Sequence, residues 1–246
     1  VSVSTTDDDV AGFTIAETEG STGVTEAGGT DTFTVVLNAQ PSSNVVLSIS
    51  SSDTGEATVT SLLTFTSSNW DTAQTVTVTG VDDDIIDGSQ NSTLTLSIVP
   101  AITDDDFDAV ADQTVSVSTT DDDVAGFTIV ELEGSTAVDE SGTTDTFTVV
   151  LNAQPDSDVV VAITSSDTGE ASSNSPLTFT SSNWDTAQTV TVTGVDDFLL
   201  DGTITSDLVV AIVDASSDNN FDAVADQTVS VSTTDDDVAG FTIAET

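Results

Sequence analysis

The sequence predicts an all-β protein built from tandem two-sheet sandwiches, and three observations carry that prediction. The run Val-Ser-Val-Ser-Thr-Thr-Asp-Asp-Asp-Val-Ala-Gly-Phe-Thr-Ile starts at Val1, at Val115 and at Val229, so the chain repeats every 114 residues. Within each period, apolar residues alternate with Thr and Ser over short segments, the period-two signature of strands with one buried and one wet face. No segment carries helical periodicity.

In order along the first period, strands are expected at Gly12–Ala16, Asp31–Leu37, Asn44–Ser50, Leu63–Thr66, Ala73–Val81, Ser92–Val99 and Thr114–Thr120. Phe33, Val35 and Leu37 share one face of the second. Val76 and Val78 share a face of the fifth, Leu94, Leu96 and Ile98 of the sixth, and Val115 and Val117 of the seventh, with Thr and Ser opposite. β-branched Thr on the outer face also favours strand. Seven such strands in one period, separated by polar and Gly-rich turns, point to a seven-stranded immunoglobulin-like β-sandwich. Trp70 and Trp184, in Ser-Ser-Asn-Trp-Asp-Thr, precede the fifth strand of each copy and are expected to cap one end of the core rather than to stack on a ligand.

The expected organisation is 1–9, the last strand and Asp triplet of a preceding repeat; 10–123 and 124–237, two complete repeats; and 238–246, the first strand of a following one. Each repeat has the size of an ordinary domain, and the incomplete copies at both ends suggest a stretch of a longer array. No run of about twenty apolar residues suits a membrane span, and no basic segment precedes an apolar one as a signal peptide requires.

Composition narrows the function. The 246 residues include 44 Asp and Glu but no Lys, Arg, His or Cys, a formal charge of −44. Hydrophobic residues make up 37% of the chain, too many for a disordered acidic tail. With no cationic side chain, carboxylate repulsion must be relieved by water, distance or bound cations. Disulfides and lysine cross-links are excluded, as are His, Cys and Lys catalysis. A two-carboxylate glycosidase is the enzyme class left, and the confinement of the acids to loops argues against it, so the chain is expected not to be an enzyme. Nothing basic is present to meet nucleic acid phosphate.

The two periods align without insertion or deletion, which filters the acids. Glu26 recurs as Glu140, Asp53 as Asp167, Glu56 as Glu170, Asp82 and Asp83 as Asp196 and Asp197, Asp87 as Asp201, and Asp121, Asp122 and Asp123 as Asp235, Asp236 and Asp237. By contrast Asp84 becomes Phe198, and Asp105 and Asp106 become Asn219 and Asn220. With seven alternating strands, loops after odd-numbered strands emerge at one pole. Glu26, Asp53, Asp87 and Asp123 all satisfy that parity. Carboxylates gathered there would raise one another's pKa unless a hard cation sat among them. Calcium takes six to eight oxygens in irregular geometry, whereas magnesium demands a tight octahedron and zinc or copper prefers His and Cys. The expected cofactor is therefore Ca2+, several ions per repeat. The competing reading, that these acids only solvate the surface, is disfavoured by their recurrence and parity.

These residues resemble the Calx-beta family through Glu26 in Val-Thr-Glu-Ala-Gly-Gly-Thr, the loop Gly-Val-Asp-Asp-Asp-Ile-Ile-Asp-Gly, and the closing Asp-Asp-Asp-Val-Ala-Gly-Phe. The likeness spans both repeats, and is greatest to the tandem form found in large bacterial surface proteins. It implies calcium clustered at one pole, held by Glu26, Asp53, Asp82, Asp83, Asp87 and Asp121 to Asp123, and by Glu140, Asp167, Asp196, Asp197, Asp201 and Asp235 to Asp237. Gln90 and Ile204 stand where the exchanger-type members of the family carry a further Glu, which bears on the number of ions.

Only Val124-Ala125-Gly126 separates Asp123 from Phe127 in the next expected strand, so bound ions would lie at the domain junctions. The expected function is a calcium-binding extracellular or cell-surface structural repeat, rigidified by calcium into a rod or fibre of a matrix filament or adhesin stalk. Its partners would be calcium, neighbouring repeats and other copies in a filament. The alternative is a calcium-sensing regulatory module of a larger surface protein.

Overall fold

A computed structural model describes residues 1–6 and 8–243. The strands of the first repeat are β1 (Phe13–Glu17), β2 (Thr22–Thr25), β3 (Thr30–Leu37), β4 (Val45–Ser51), β5 (Ala57–Val59), β6 (Leu62–Phe65), β7 (Gln74–Gly80), β8 (Gln90–Ile98) and β9 (Gln113–Thr120). The second repeats the pattern as β10 (Phe127–Glu131), β11 (Thr136–Asp139), β12 (Thr144–Leu151), β13 (Val159–Ser165), β14 (Ala171–Ser173), β15 (Leu177–Phe179), β16 (Gln188–Gly194), β17 (Ile204–Ile212) and β18 (Gln227–Thr234). No α-helix occurs among the described residues; short 3-10 turns join some of the strands.

The chain divides into two compact units, Val1–Asp83 with Asp87–Asp122, and Asp84–Ile86 with the chain from Asp123 onward. Each is a two-sheet sandwich, with one sheet ordered β1-β3-β7-β5 (β10-β12-β16-β14 in the second unit) and the other β2-β9-β8-β4-β6 (β11-β18-β17-β13-β15). All pairings are antiparallel except β2 with β9 and β11 with β18, which run parallel.

The seven expected strands are all present in each unit. Two short ones join them: Thr22–Thr25, and the three-residue Ala57–Val59. Gly23 interrupts the apolar alternation of the first, and the second is too short to show any. The parity argument survives them. β2 runs parallel to β9 and opposite to β8, while β5 and β6 each run opposite to their upward neighbours β7 and β4. Neither added strand therefore reverses the sense of those that follow.

The alternation read from the sequence is the alternation of burial. Along β9, Val115, Val117 and Thr119 point inward and Ser116 and Ser118 outward. Phe33 faces Val76 across β3 and β7, and Phe147 faces Val190 across β12 and β16; all four are buried. Both sheets feed the first core, with Phe13, Phe33 and Val78 from one and Leu47, Leu94 and Val117 from the other. Trp70 and Trp184 are partly buried against their cores, and the Trp70 carbonyl accepts the Leu37 N–H at 3.1 Å. They cap cores as expected.

Residues 1–6 and 238–243 carry no strand. The equivalent segment 115–120 pairs with β8 and β2, and Phe127–Glu131 pairs with β12. Ala244 to Thr246, the end of the expected final strand, lie outside the described residues.

Candidate functional site

The site of the second unit is assembled by four loops that follow upward strands. β11 ends at Asp139, so Glu140 is the next residue, and its N–H donates to the Thr234 carbonyl at 3.1 Å. That bond ties Glu140 to the end of β18, directly beside Asp235. Gly194, at the end of β16, lies so close beneath Asp139 that a Cβ added there would sit 2.0 Å from the Asp139 carbonyl oxygen. A glycine is required for the two backbones to approach this closely.

Glu170 reaches the cluster from the loop between β13 and β14. Its backbone carbonyl accepts the Val195 N–H at 2.9 Å and the Thr233 hydroxyl at 3.4 Å, which binds this loop to β16 and β18. Asp201 and Gly202 come from the loop after β16. Gly202 adopts φ +81°, a left-handed conformation open to glycine, and its N–H donates to Asp235 Oδ2 at 2.8 Å. The Asp237 N–H donates to Asp235 Oδ1 at 2.7 Å.

Carboxylate oxygens of Glu140, Asp235 and Asp237 lie within 4.8 Å of one another, as do those of Glu140, Glu170 and Asp201. Glu140 therefore belongs to both groups. It is 1% exposed and Glu170 5%. Neither oxygen of Glu140 has a hydrogen-bond partner, and Glu170 Oε2 and Asp237 Oδ2 are also buried without one. Buried carboxylates lacking donors are costly unless protonated or bound to a cation.

The electrostatics follow. Burial first, then the charges of Asp235, Asp197, Glu170 and Asp201, pushes the Glu140 carboxyl up from 4.5 to about 7. Glu170 is raised by burial and then by Asp201 and Asp167. Asp237 is raised by burial and by Asp235. Asp235 goes the other way, because the Gly202 and Asp237 N–H groups stabilise its anion.

The first unit repeats part of this arrangement, without a counterpart, among the described residues, of the Glu140, Glu170 and Asp201 group. The Glu26 N–H donates to the Thr120 carbonyl at 3.1 Å, Gly88 N–H donates to Asp121 Oδ2 at 2.7 Å, and Glu26 and Asp121 offer oxygens within 4.8 Å. Glu26 is 1% exposed, and its Oε2 and that of Glu56 lack partners. Burial, then Asp121, Asp83, Glu56 and Asp87, lifts Glu26 from 4.5 to about 7. Glu56 is raised by burial, then by Asp87 and Asp53. Asp123, the counterpart of Asp237, is the first residue of the second unit's main segment.

The expected ligands thus divide. Glu140, Asp201, Asp235 and Asp237 are brought together, as are Glu26 and Asp121; Asp83, Asp87 and Asp197 act on the central glutamates through their charge. Asp82, Asp122, Asp196 and Asp236 are exposed, because alternate residues of an extended segment face opposite ways and their neighbours take the inward positions. Asp53 and Asp167 fold back on their own loops, accepting the Gly55 and Gly169 N–H groups at 3.0 Å. Glu56 and Glu170 are absent from the expected ligand set yet are buried in the cluster. Their recurrence at the repeat spacing was the available signal.

All donors in these groups are carboxylate oxygens, several with no internal partner, and such a set fits a hard divalent cation and not a soft one. Glu140 and Glu170, with Asp201, Asp235 and Asp237, would hold it in the second unit.

No protein-family model and no curated protein matches the chain. Among solved structures, CBD12 from CALX1.2 is similar at 16% identity and a TM-score of 0.33, over 80% of this chain and 79% of that one. The calcium binding domain CBD12 of CALX1.1 is similar at 15% identity and a TM-score of 0.34, over 80% of each chain. Domains 4 and 5 of the S-layer protein SbsC are similar at 14% identity and a TM-score of 0.37, over 92% of this chain and 99% of that one. The strand pairings themselves establish the architecture: tandem all-β sandwiches of immunoglobulin-like type.

Proposed function

We propose that each unit binds calcium at this carboxylate pole, and that the chain is an extracellular structural repeat which calcium stiffens into a rod or fibre. The observation that carries the reading is Glu140, a buried carboxyl with both oxygens lacking a hydrogen-bond donor, set among three further acids with buried or inward-facing groups. Without a cation such a group is held only by protonation. A divalent ion would supply the missing partner and offset the repulsion that raises the neighbouring carboxyls. The two overlapping acid groups that share Glu140 favour more than one ion in the second unit.

The structural role rests on the chain's economy. Three residues separate Asp123 from the start of β10, so an ion held there would restrain the connection between repeats. A charge of −44 with no internal counterion would keep an array extended and flexible until cations neutralise it. Absence of Lys and Arg removes every tryptic site, which suits a protein exposed outside the cell. Near-identity of the repeats favours a scaffold over a sensor, and no feature calls for catalysis. Thermal unfolding and solution scattering of the chain in millimolar calcium and in EGTA test the proposal. Loss of stability and of extended shape on chelation is expected; identical melting and scattering would sink it.

A further inference from the structure

Among strand pairs that are otherwise antiparallel, β2 with β9 and β11 with β18 run parallel. Thr22 aligns with Val117 and Thr25 with Thr120, and the second unit repeats the register with Thr136 on Val231 and Asp139 on Thr234. Parallel pairing joins strands far apart in the sequence and is slightly weaker per residue than antiparallel pairing, so stability at rest gives it no advantage. Its advantage is direction. Because the two strands are parallel, the chain enters the pair at Thr22 and leaves it at Thr120, at opposite ends. Tension along the chain therefore slides one strand along the other and strains the cross-strand bonds together, whereas a pair pulled apart from one end opens bond by bond.

Further contacts secure the same strands. The Glu26 N–H carries the ladder on to the Thr120 carbonyl, and the Glu140 N–H to the Thr234 carbonyl, each at 3.1 Å. On its outer edge β2 is pinned by a side chain: the Gly23 N–H donates to Asp31 Oδ2 at 2.9 Å, as the Ala137 N–H does to Asp145 Oδ2 at 2.8 Å. Gln113 of β9 donates from Nε2 to the Phe13 carbonyl at 2.7 Å, and Gln227 of β18 to the Phe127 carbonyl at 2.7 Å, so the first strand of each unit is tied to the last. On its far side β9 is held by β8, from Gln90 opposite Thr119 to Leu96 opposite Gln113. The Asp31 and Gln113 contacts recur 114 residues later and touch no carboxylate of the acidic pole.

We propose that each unit bears tension along the chain, with the β2–β9 and β11–β18 pairs as its mechanical clamps. Resistance to force is governed by the rate of unfolding and not by equilibrium stability, so a pairing that is no more stable at rest lasts longer under tension. The clamp needs no calcium. An ion held by Glu140, Asp235 and Asp237 would join the residue after β11 to the segment after β18 and strengthen the clamp; that increment alone rests on the calcium-binding reading.

The chain contains no cysteine, so introduced pairs alone carry the handles for constant-force tweezers. Ser135→Cys with Thr234→Cys pulls the second clamp lengthwise, from opposite ends. Ser135→Cys with Ser230→Cys pulls it sideways from one end, because these residues immediately precede the paired Thr136 and Val231. All three positions are exposed. In EGTA and at equal force, the lengthwise pair should unfold at least about tenfold more slowly, as expected when several bonds and not one must break together. Ser21→Cys with Thr120→Cys, against Ser21→Cys with Ser116→Cys, repeats the comparison in the first unit. Equal lifetimes in the two geometries, in either unit, overturn the proposal. Calcium should lengthen the lengthwise lifetime further; a ratio between geometries that persists without any calcium effect upholds the clamp and refutes the ion bridge.

Discussion

Gly194→Ala tests how the protein positions its central carboxylate without touching a carboxylate. The added Cβ would lie 2.0 Å from the Asp139 oxygen, 2.7 Å from the Asp139 carbonyl carbon and 3.3 Å from Val138 Cγ2. Contacts of this kind require at least about 3.0 Å, so β16 or the Asp139 backbone must move by about 1 Å. Neither side is free to yield. Gly194 is paired with Ala171, its N–H donates to the Thr143 carbonyl at 3.1 Å, and the adjoining Glu140 is bonded to Thr234. Overpacking of this severity costs ~1–3 kcal/mol, which for a unit of this size lowers Tm by about 4–12 °C. Calcium–oxygen distances span only about 2.3–2.6 Å, so a ligand displaced by about 1 Å is lost, and calcium affinity should fall roughly tenfold or more. Gly23→Ala is the control: its Cβ would lie 3.8 Å from the Ser118 oxygen, and the second repeat already carries Ala137 there. Differential scanning calorimetry and calcium titration measure both variants. A Gly194→Ala protein that melts and binds calcium as the parent does would refute the close-approach argument.

Further outcomes are expected from the same geometry. Glu140→Gln removes a buried charge lacking donors, so the calcium-free protein should melt higher than the parent while its gain in Tm on adding calcium shrinks; a lower Tm in EGTA would contradict the burial of an unpartnered anion. The pH dependence has a definite sign, because Glu26 and Glu140 are raised from 4.5 to about 7 in the fold. The folded state binds more protons than the unfolded one across that window, so calcium-free stability falls as pH rises from about 4.5 to 7. Calcium affinity should move oppositely, weakening as pH drops through about 7, and calorimetric titrations at several pH values check it. Phe147→Ala, at 1% exposure in the second core, should cost ~3–5 kcal/mol with the melting of the first unit less affected.

Much of this was legible in the sequence for identifiable reasons. Residues such as Phe33, Val35 and Leu37 alternate cleanly with Thr, so strand and core face were both visible. Recurrence after 114 residues separated Glu26 from acids such as Asp84. What sequence could not supply was facing within acidic runs. Asp235, Asp236 and Asp237 are chemically identical, and only the extended backbone after β18 turns the first and third inward. Nor could it show that Glu56 and Glu170, each on a loop beside an Asx turn, bury their carboxylates instead of exposing them. The short strands β2 and β5 are fixed by pairing with β9 and β7, a tertiary feature without local signature.

The most direct test of calcium binding at the buried glutamates is calorimetric titration of calcium into the chelator-stripped chain, beside the double variant Glu26→Gln, Glu140→Gln. The account predicts saturable binding in both units of the parent, with proton release below pH 7, and its loss or severe weakening in the variant. Absence of saturable binding in the parent, or equal binding by the variant, would contradict it.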